Sequence, residues 1–407
     1  MEIGSILSTL RRNKVGALLI STQMAVTLAI VCNAVFLIEQ RLAITARPTG
    51  VDEANIFVIA NEWIGNPADL SSRAQTDVAA LRSLPGVLDA YVTNGVPLSN
   101  TGSSVPTNIQ SFQREATATS AAYYADDHAL GTLGLKLLAG RNFTAGEIVD
   151  VRAGDPQRAP SVVIVTRDLA QRLFPKDTAL GQSIFIVPGS PARIIGIVDV
   201  MQIPWVHGAS PGSAANYFSS LLPFRLTAPQ SLYVVRVRPG DLPGVMRAAP
   251  NTLRKIEHNR IIGSVYSLAE ARNRAYHDDR GLVVLLAVAV TLLLTVTALG
   301  IVGLTSYWVT QRRRQIGVRR ALGATRLAIV RYFQTENLLI AVVGSACGIA
   351  LAIAVNLWMV SSFEMTRLNA SYALIGAASI LLLGQLGTLY PALRAAAIPP
   401  ATAARSA

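Results

Sequence analysis

The chain has 407 residues, 51% of them hydrophobic and 15% charged, with a formal net charge of +12 and a mean hydropathy of +0.41. An ordinary soluble domain carries about 25% charged residues, so the composition excludes that class and puts a membrane protein first. It also argues against a nucleic-acid binder, because +10 of the excess charge hugs the ends of apolar stretches.

Residues 1–14 form a candidate amphipathic helix. Ile3, Ile6, Leu7 and Leu10 lie on one face, followed by Arg11, Arg12 and Lys14, a pattern suited to the inner membrane surface. Residues 15–38 contain no Asp, Glu, Lys or Arg and exceed the about 20 helical residues that cross a bilayer core. The run is longer than a signal-peptide core and no A-x-A site follows, which favours an uncleaved anchor.

Residues 39–280 differ in kind, with 23 basic and 21 acidic side chains. They read as a folded α+β domain of two subdomains inserted between the first and second spans. Strands are expected at 55–61, in "SVVIV" before a helix stopped by Pro175, in "GQSIFIV" and "ARIIGIVDVMQI", in "SLYVVRVRPG" and in "RIIGSVYS". Helices are expected over 69–86 and from Leu242 to about His258. Residues 99–107, "SNTGSSVPT", read as a flexible polar loop, and 203–230 as an irregular excursion. The two cysteines, Cys32 and Cys347, both lie in apolar windows, so the inserted domain has no disulfide framework.

Ser267 and Glu270 have capping-box spacing. They predict the cap of one long helix that starts near Leu268 and runs as a stalk into the second span. Residues 281–311, 337–363 and 368–393 again lack all four charged residue types, and only "EMTR" separates the last two. The chain is thus expected to have four transmembrane helices, with 281–407 forming the closing membrane domain. Gly344 and Gly348 form a G-x-x-x-G step, which serves either packing within the chain or a dimer face. No ionisable residue lies near a span's midplane, which argues against a proton-coupled carrier.

Between the second and third spans stands "QRRRQIGVRRALGATR", residues 311–326. A coupling helix is expected over 312–323, stopped by Gly323, with Thr325 capping the next helix. Ile316 and Arg320 share a face, as do Gly317 and Ala321. An apolar tooth with a basic rim suits a partner's groove. Lipid anchoring explains arginines 312–314, but it requires no glycine-stopped helix. The positive-inside rule places both termini and this segment in the cytoplasm and 39–280 outside. No G-x-x-x-x-G-K-[ST] loop, metal-ligand spacing or nucleophile-base set occurs. The "DDH" at 126–128 and "HDD" at 277–279 read as solvated surface, so no catalysis, cofactor or metal is expected in this chain.

"RRRQIGVRRALGATR" resembles the coupling segment of MacB/FtsX-type ABC transporter permeases, roughly R-x-x-E-I-G-x-x-R-A-L-G-A. "LGLKLLAGRNFT", "VVIVTRDLAQRLFPKDTALGQSI" and "ARIIGIVDV" resemble the MacB-type periplasmic core, and "YPALRAAAIPPATAAR" resembles the family's closing segment. The resemblance implies a bacterial inner-membrane permease that works as a homo- or heterodimer with a separate ABC ATPase. That partner would hold ATP and Mg. Gln315, Ile316, Gly317, Arg319, Arg320, Ala321, Leu322, Gly323 and Ala324 would couple to it. Gln315 departs from the family's usual Glu. The implied activity is substrate efflux by mechanotransmission, with a periplasmic adaptor and an outer-membrane channel as further partners. Lipoprotein extraction and ligand sensing without transport are the alternatives.

Overall fold

The computed structural model describes residues 14–65, 67, 69–152, 158–206, 213–363 and 367–397. The helix expected over 1–14, the centre of the "EMTR" turn and the tail after 397 lie outside the described residues. The chain divides into two compact units, residues 43–278 and the remainder.

In chain order the elements are α1 (Lys14–Thr45), β1 (Ile56–Trp63), α2 (Leu70–Arg82), β2 (Val87–Thr93), β3 (Ser103–Thr107), β4 (Ala118–Tyr124), α3 (Ala129–Leu133), β5 (Leu137–Gly140) and β6 (Val149–Val151). There follow β7 (Val162–Thr166), α4 (Arg167–Leu173), β8 (Ser183–Val187), β9 (Ser190–Val198), β10 (Ser219–Leu222), β11 (Phe224–Leu226), β12 (Gln230–Val237), α5 (Leu242–Ile256), β13 (Arg260–Ser267) and α6 (Leu268–Ala275). The membrane unit then adds α7 (His277–Gln311), α8 (Arg313–Ala321), α9 (Arg326–Phe363) and α10 (Ala370–Ala396).

Among the described residues the inserted unit is built on a two-stranded sheet, β11-β6, and two larger sheets. One has the order β13-β1-β12-β2 and the other β3-β4-β10-β7-β9-β5, with β8 paired to β9. Side chains alternate across a strand, and β1 is apolar on both faces. Phe57 and Ile59 pack with Val78 and Leu81 of α2 and Val245 and Leu253 of α5. Ile56 and Val58 enter a second core shared with Tyr123, Ile164 and Leu221 of the larger sheet. A strand buried on both faces reads as an unbroken apolar run, which explains "IFVIA". The larger sheet has its own core with α4, built on Val163, Val165, Leu169, Leu173 and Ile194.

Two segments differ from their sequence reading. Ser103–Thr107 is a strand, not a flexible loop: it pairs antiparallel with β4 from Ser103↔Ala122 to Thr107↔Ala118. The buried Thr107 hydroxyl links the strand to its neighbours. Thr107 Oγ1 lies 2.9 Å from Ser120 Oγ, which lies 2.9 Å from Ser220 Oγ. The excursion over 203–230 contains β10 and β11. Strand β10 is parallel to β4 and antiparallel to β7, so it sits inside the sheet. Both partners are remote in sequence, and a four-residue "SSLL" announces no such position.

The stalk also differs. Ser267 and Glu270 form the reciprocal capping box, with Glu270 N donating to Ser267 Oγ (3.1 Å) and Ser267 N to Glu270 Oε2 (2.9 Å). The helix does not run unbroken, however. Tyr276 leaves helical geometry (φ −108°, ψ 13°) between α6 and α7. Its ring is fully buried, and its hydroxyl accepts from Gln202 Nε2 at 3.2 Å. Burying this aromatic ring outweighs one continuous helical turn.

Arg272 of α6 ties the start of the inserted unit to its end. It donates to both Glu53 carboxylate oxygens (2.6 and 2.7 Å) and to the carbonyls of Thr45 (3.0 Å) and Arg47 (2.8 Å). Burial alone would raise the Glu53 carboxyl, but the Arg272 guanidinium and the Thr49 hydroxyl hold it below its usual value. A depressed carboxylate contributes stability above its unfolded pKa of about 4.3 and loses it as pH falls through the lower folded value. Glu53→Gln is therefore expected to lower the thermal midpoint at neutral pH. The difference from wild type should shrink as pH drops below about 4.3, and a pH series of melting curves checks this.

In the membrane unit, α1, α7, α9 and α10 are long and apolar enough to cross a membrane. A Cβ on Gly344 would lie 2.9 Å from the Ser21 carbonyl, and one on Gly348 2.9 Å from Leu28 Cβ. The G-x-x-x-G step therefore seats α9 directly on α1, which assigns it to packing within the chain. Polar span residues are used in the same way. Asn33 Nδ2 donates to the Ala352 carbonyl (3.2 Å), and the Thr27 and Thr297 hydroxyls meet at 2.8 Å.

Candidate coupling site

The arginine-rich segment folds as α8. Arg312 is its N-cap residue and Leu322 its C-cap. Gly323 follows at φ +96°. Its N–H donates to the Arg320 carbonyl (3.1 Å), and Ala324 N–H donates to the Arg319 carbonyl (3.0 Å), a Schellman closure that requires the left-handed conformation glycine adopts without strain. Thr325 Oγ1 then accepts from Ala328 N at 3.2 Å and starts α9.

Three interactions fix α8 to its neighbours. Arg312 Nη1 donates to both oxygens of Glu336 on α9 (3.0 and 2.8 Å), with both side chains buried. Arg320 Nη1 donates to the Ala396 carbonyl at the end of α10 (3.0 Å). Ile316 is buried with Val309 of α7, Ile329 and Phe333 of α9, and Ala392 and Ala395 of α10. The short helix is thus bonded or packed to the adjoining ends of three spans.

This corrects the expected face. Ile316 and Gly317 are buried, so they seat the helix on its own bundle and form no outward tooth. The opposite face carries Gln315, Val318, Arg319 and Leu322, at the i, i+3, i+4, i+7 spacing of one helix side. Leu322 is 83% exposed and Val318 54%. Ala321, Gly323 and Leu322 are all exposed, whereas Arg320 and Ala324 are partly covered. Between this face and α9 lies a cleft of about 530 Å³ lined by Gln315, Ile316, Arg319, Leu322, Ala328 and Tyr332 among others. Arg319 stacks over the Tyr332 ring at 4.8 Å, a cation–π contact that holds one wall of the cleft.

Sequence reasoning missed Glu336 and Tyr332. Glu336 offered one signal: it is the single acid between seven arginines and the apolar core of the third span. A lone carboxylate beside so much positive charge invites a pair. Tyr332 gave none, since its partner Arg319 lies across a turn. Among the described residues no group of three His, Cys, Asp or Glu side chains could hold a metal ion. His128 lies with its Nδ1 2.9 Å from Asp89 Oδ2.

Four membrane-crossing helices, with an α+β domain inserted after the first and a short basic helix after the second, define a transporter-type permease. Residues 24–251, more than half of the chain, match the MacB-like periplasmic core domain, and residues 287–400 match the FtsX-like permease C-terminal domain. The chain belongs to the MacB/FtsX-type ABC transporter permeases. It is 27% identical to a macrolide export ATP-binding/permease protein MacB of Chromobacterium violaceum over 66% of this chain and 40% of that protein. It is 24% identical to a probable syringafactin export ATP-binding/permease protein of Pseudomonas syringae pv. tomato over 86% of this chain and 50% of the other. The chain therefore spans half or less of the length of these relatives. The crystal structure of the periplasmic region of MacB from Actinobacillus actinomycetemcomitans aligns with 57% of this chain and 96% of its own, at 14% identity and a TM-score of 0.35.

Proposed function

We propose that this chain is the permease subunit of a bacterial inner-membrane ABC export system. ATP and Mg are held by a separate ABC ATPase. Both termini and α8 face the cytoplasm, where the positive-inside rule places the arginines, and residues 43–278 face the periplasm. The observation that carries the reading is the exposed Gln315–Val318–Arg319–Leu322 face beside its cleft, on a helix bound to three spans. A push on this face reaches α7, α9 and α10 through Ile316, Arg312–Glu336 and Arg320. Helix α7 follows α6 in the chain across the break at Tyr276, and we propose mechanotransmission along this connection. Relatives named for macrolide and syringafactin export support efflux of an amphiphilic compound. A second permease chain, a periplasmic adaptor and an outer-membrane channel complete the proposed assembly.

The test is affinity purification of the tagged full chain in mild detergent, with mass spectrometry of what accompanies it. Leu322→Glu is the variant to compare, because an 83% exposed side chain has no role in the chain's own packing. An ABC ATPase is expected with wild type, and its retention should fall about 30-fold in the variant, the effect of losing an interface hot spot. Absence of any ATPase under conditions that keep a control ABC complex intact, or equal retention by the variant, would overturn the reading.

A further inference from the structure

We propose that the cleft between the last turns of α7, the first residue of α8 and the end of α10 binds the phosphate of an anionic phospholipid. The cleft has a volume of about 360 Å³ and is lined by Ser306, Thr310, Arg313, Pro391 and Arg394, among others. Val309 and Pro391 form a buried apolar floor, and both arginines are exposed. Neither guanidinium has a hydrogen bond or an acidic partner among the described residues. Arg312 and Arg320, the N-cap and a residue of the same helix, are both engaged within the protein, and Arg313 differs from them in having no such partner among the described residues.

The depth of the cleft identifies the occupant. Tyr307 is 62% exposed and Tyr390 67%, and exposed tyrosines mark the headgroup level of a span. Arg394 lies four residues beyond Tyr390, about 6 Å further along the helix, where the phosphates of a leaflet stand. Below the tyrosines, Leu299 of α7 and Leu382 and Leu386 of α10 are each at least 60% exposed, an apolar track for acyl chains. Two cations without a partner among the described residues, with exposed leucines further along α7 and α10, complement one anionic headgroup with its tails. Such a lipid would join α8 to α10 in addition to the Arg320 bond. The inference needs only a membrane-crossing chain, so its failure leaves the export proposal untouched.

The experiment is native mass spectrometry of the full chain titrated with phosphatidylglycerol and, separately, with phosphatidylcholine of the same acyl chains. Wild type is expected to retain phosphatidylglycerol preferentially. Arg313→Gln/Arg394→Gln should weaken that retention about 30-fold, and each single variant about fivefold, if each arginine contributes what a juxtamembrane cation usually does. Arg326→Gln/Arg331→Gln removes equal charge from exposed arginines of α9 outside the cleft and should leave it unchanged. Equal weakening in both double variants would show diffuse attraction and overturn the site. So would the absence of a preference in wild type, or displacement of the lipid by excess inorganic phosphate. Should the double variant fail to fold, the two single variants decide.

Discussion

Asp77→Ala is expected to cost the inserted domain about 3–5 kcal/mol, the usual penalty for orphaning one member of a buried ion pair. Asp77 of α2 and Arg260 of β13 are both 0% exposed in their side chains. They meet in a two-pronged pair, Nη1 to Oδ2 at 2.7 Å and Nη2 to Oδ1 at 2.9 Å. The Tyr233 hydroxyl of β12 donates to Asp77 Oδ2 at 2.5 Å. Burial holds that hydroxyl well above its usual range, so it remains a neutral donor. Trp63 of β1 lies under the Arg260 guanidinium at 4.0 Å. One carboxylate thus organises α2 and three strands of the smaller sheet. With Asp77 gone, a buried guanidinium loses its hydrogen-bonded counter-charge. Replacing both partners with apolar residues, as in Asp77→Leu/Arg260→Met, removes that orphan and should recover most of the loss. Denaturant unfolding of the full chain, followed by protease resistance of residues 43–278, distinguishes the cases. A loss below about 1 kcal/mol in Asp77→Ala, or a double variant less stable than the single one, would show that the pair is peripheral to the domain's stability.

The membrane helices were legible because hydrocarbon leaves so few alternatives. Twenty or more residues without a charge, repeated four times, admit little but spanning helices. The helix stop at Gly323 was legible too, since only a few chemistries end a helix in a left-handed residue. What escaped the sequence was nonlocal. Strand β10 forms between two partners 98 and 55 residues away, as the pairs Ser219↔Ala121 and Ser220↔Val165 show. Ser103–Thr107 becomes a strand through its neighbour and not through its own propensity. Tyr276 breaks the stalk because a core waits for its ring. Helix α8 shows the same division. Its existence and end were readable from residues 312–323, but which side faces outward depends on α9 and α10. The family pattern drew attention to Ile316, and the packing gives the exposed position to Leu322.

If the chain works with an ABC ATPase as proposed, Glu336→Ala is expected to uncouple transport without releasing that partner. Arg312 stands at the corner between α7 and α8, and Glu336 lies on α9 with 2% of its side chain exposed. The Trp308 ring closes the site from the other side, 5.9 Å from the Arg312 guanidinium. Low dielectric strengthens the pair and makes its disruption costly, about 3–5 kcal/mol once the arginine is left unmatched. To escape, Arg312 would have to swing toward water and carry the first turn of α8 with it. The outward Val318–Leu322 face would persist, so ATPase binding should survive, in contrast to Leu322→Glu. Force applied to α8 would then rotate a loosened helix and leave α9 behind. In a reconstituted complex, ATP hydrolysis should continue while efflux falls at least about tenfold, since even 1.4 kcal/mol of misplaced equilibrium is a factor of ten. The swapped variant Arg312→Glu/Glu336→Arg restores opposite charges at the same two positions and should recover part of the efflux. Wild-type efflux in Glu336→Ala would show that the corner is not the lever. Loss of ATPase binding in that variant would place Glu336 in docking, and the separation between seat and docking face would have to be abandoned.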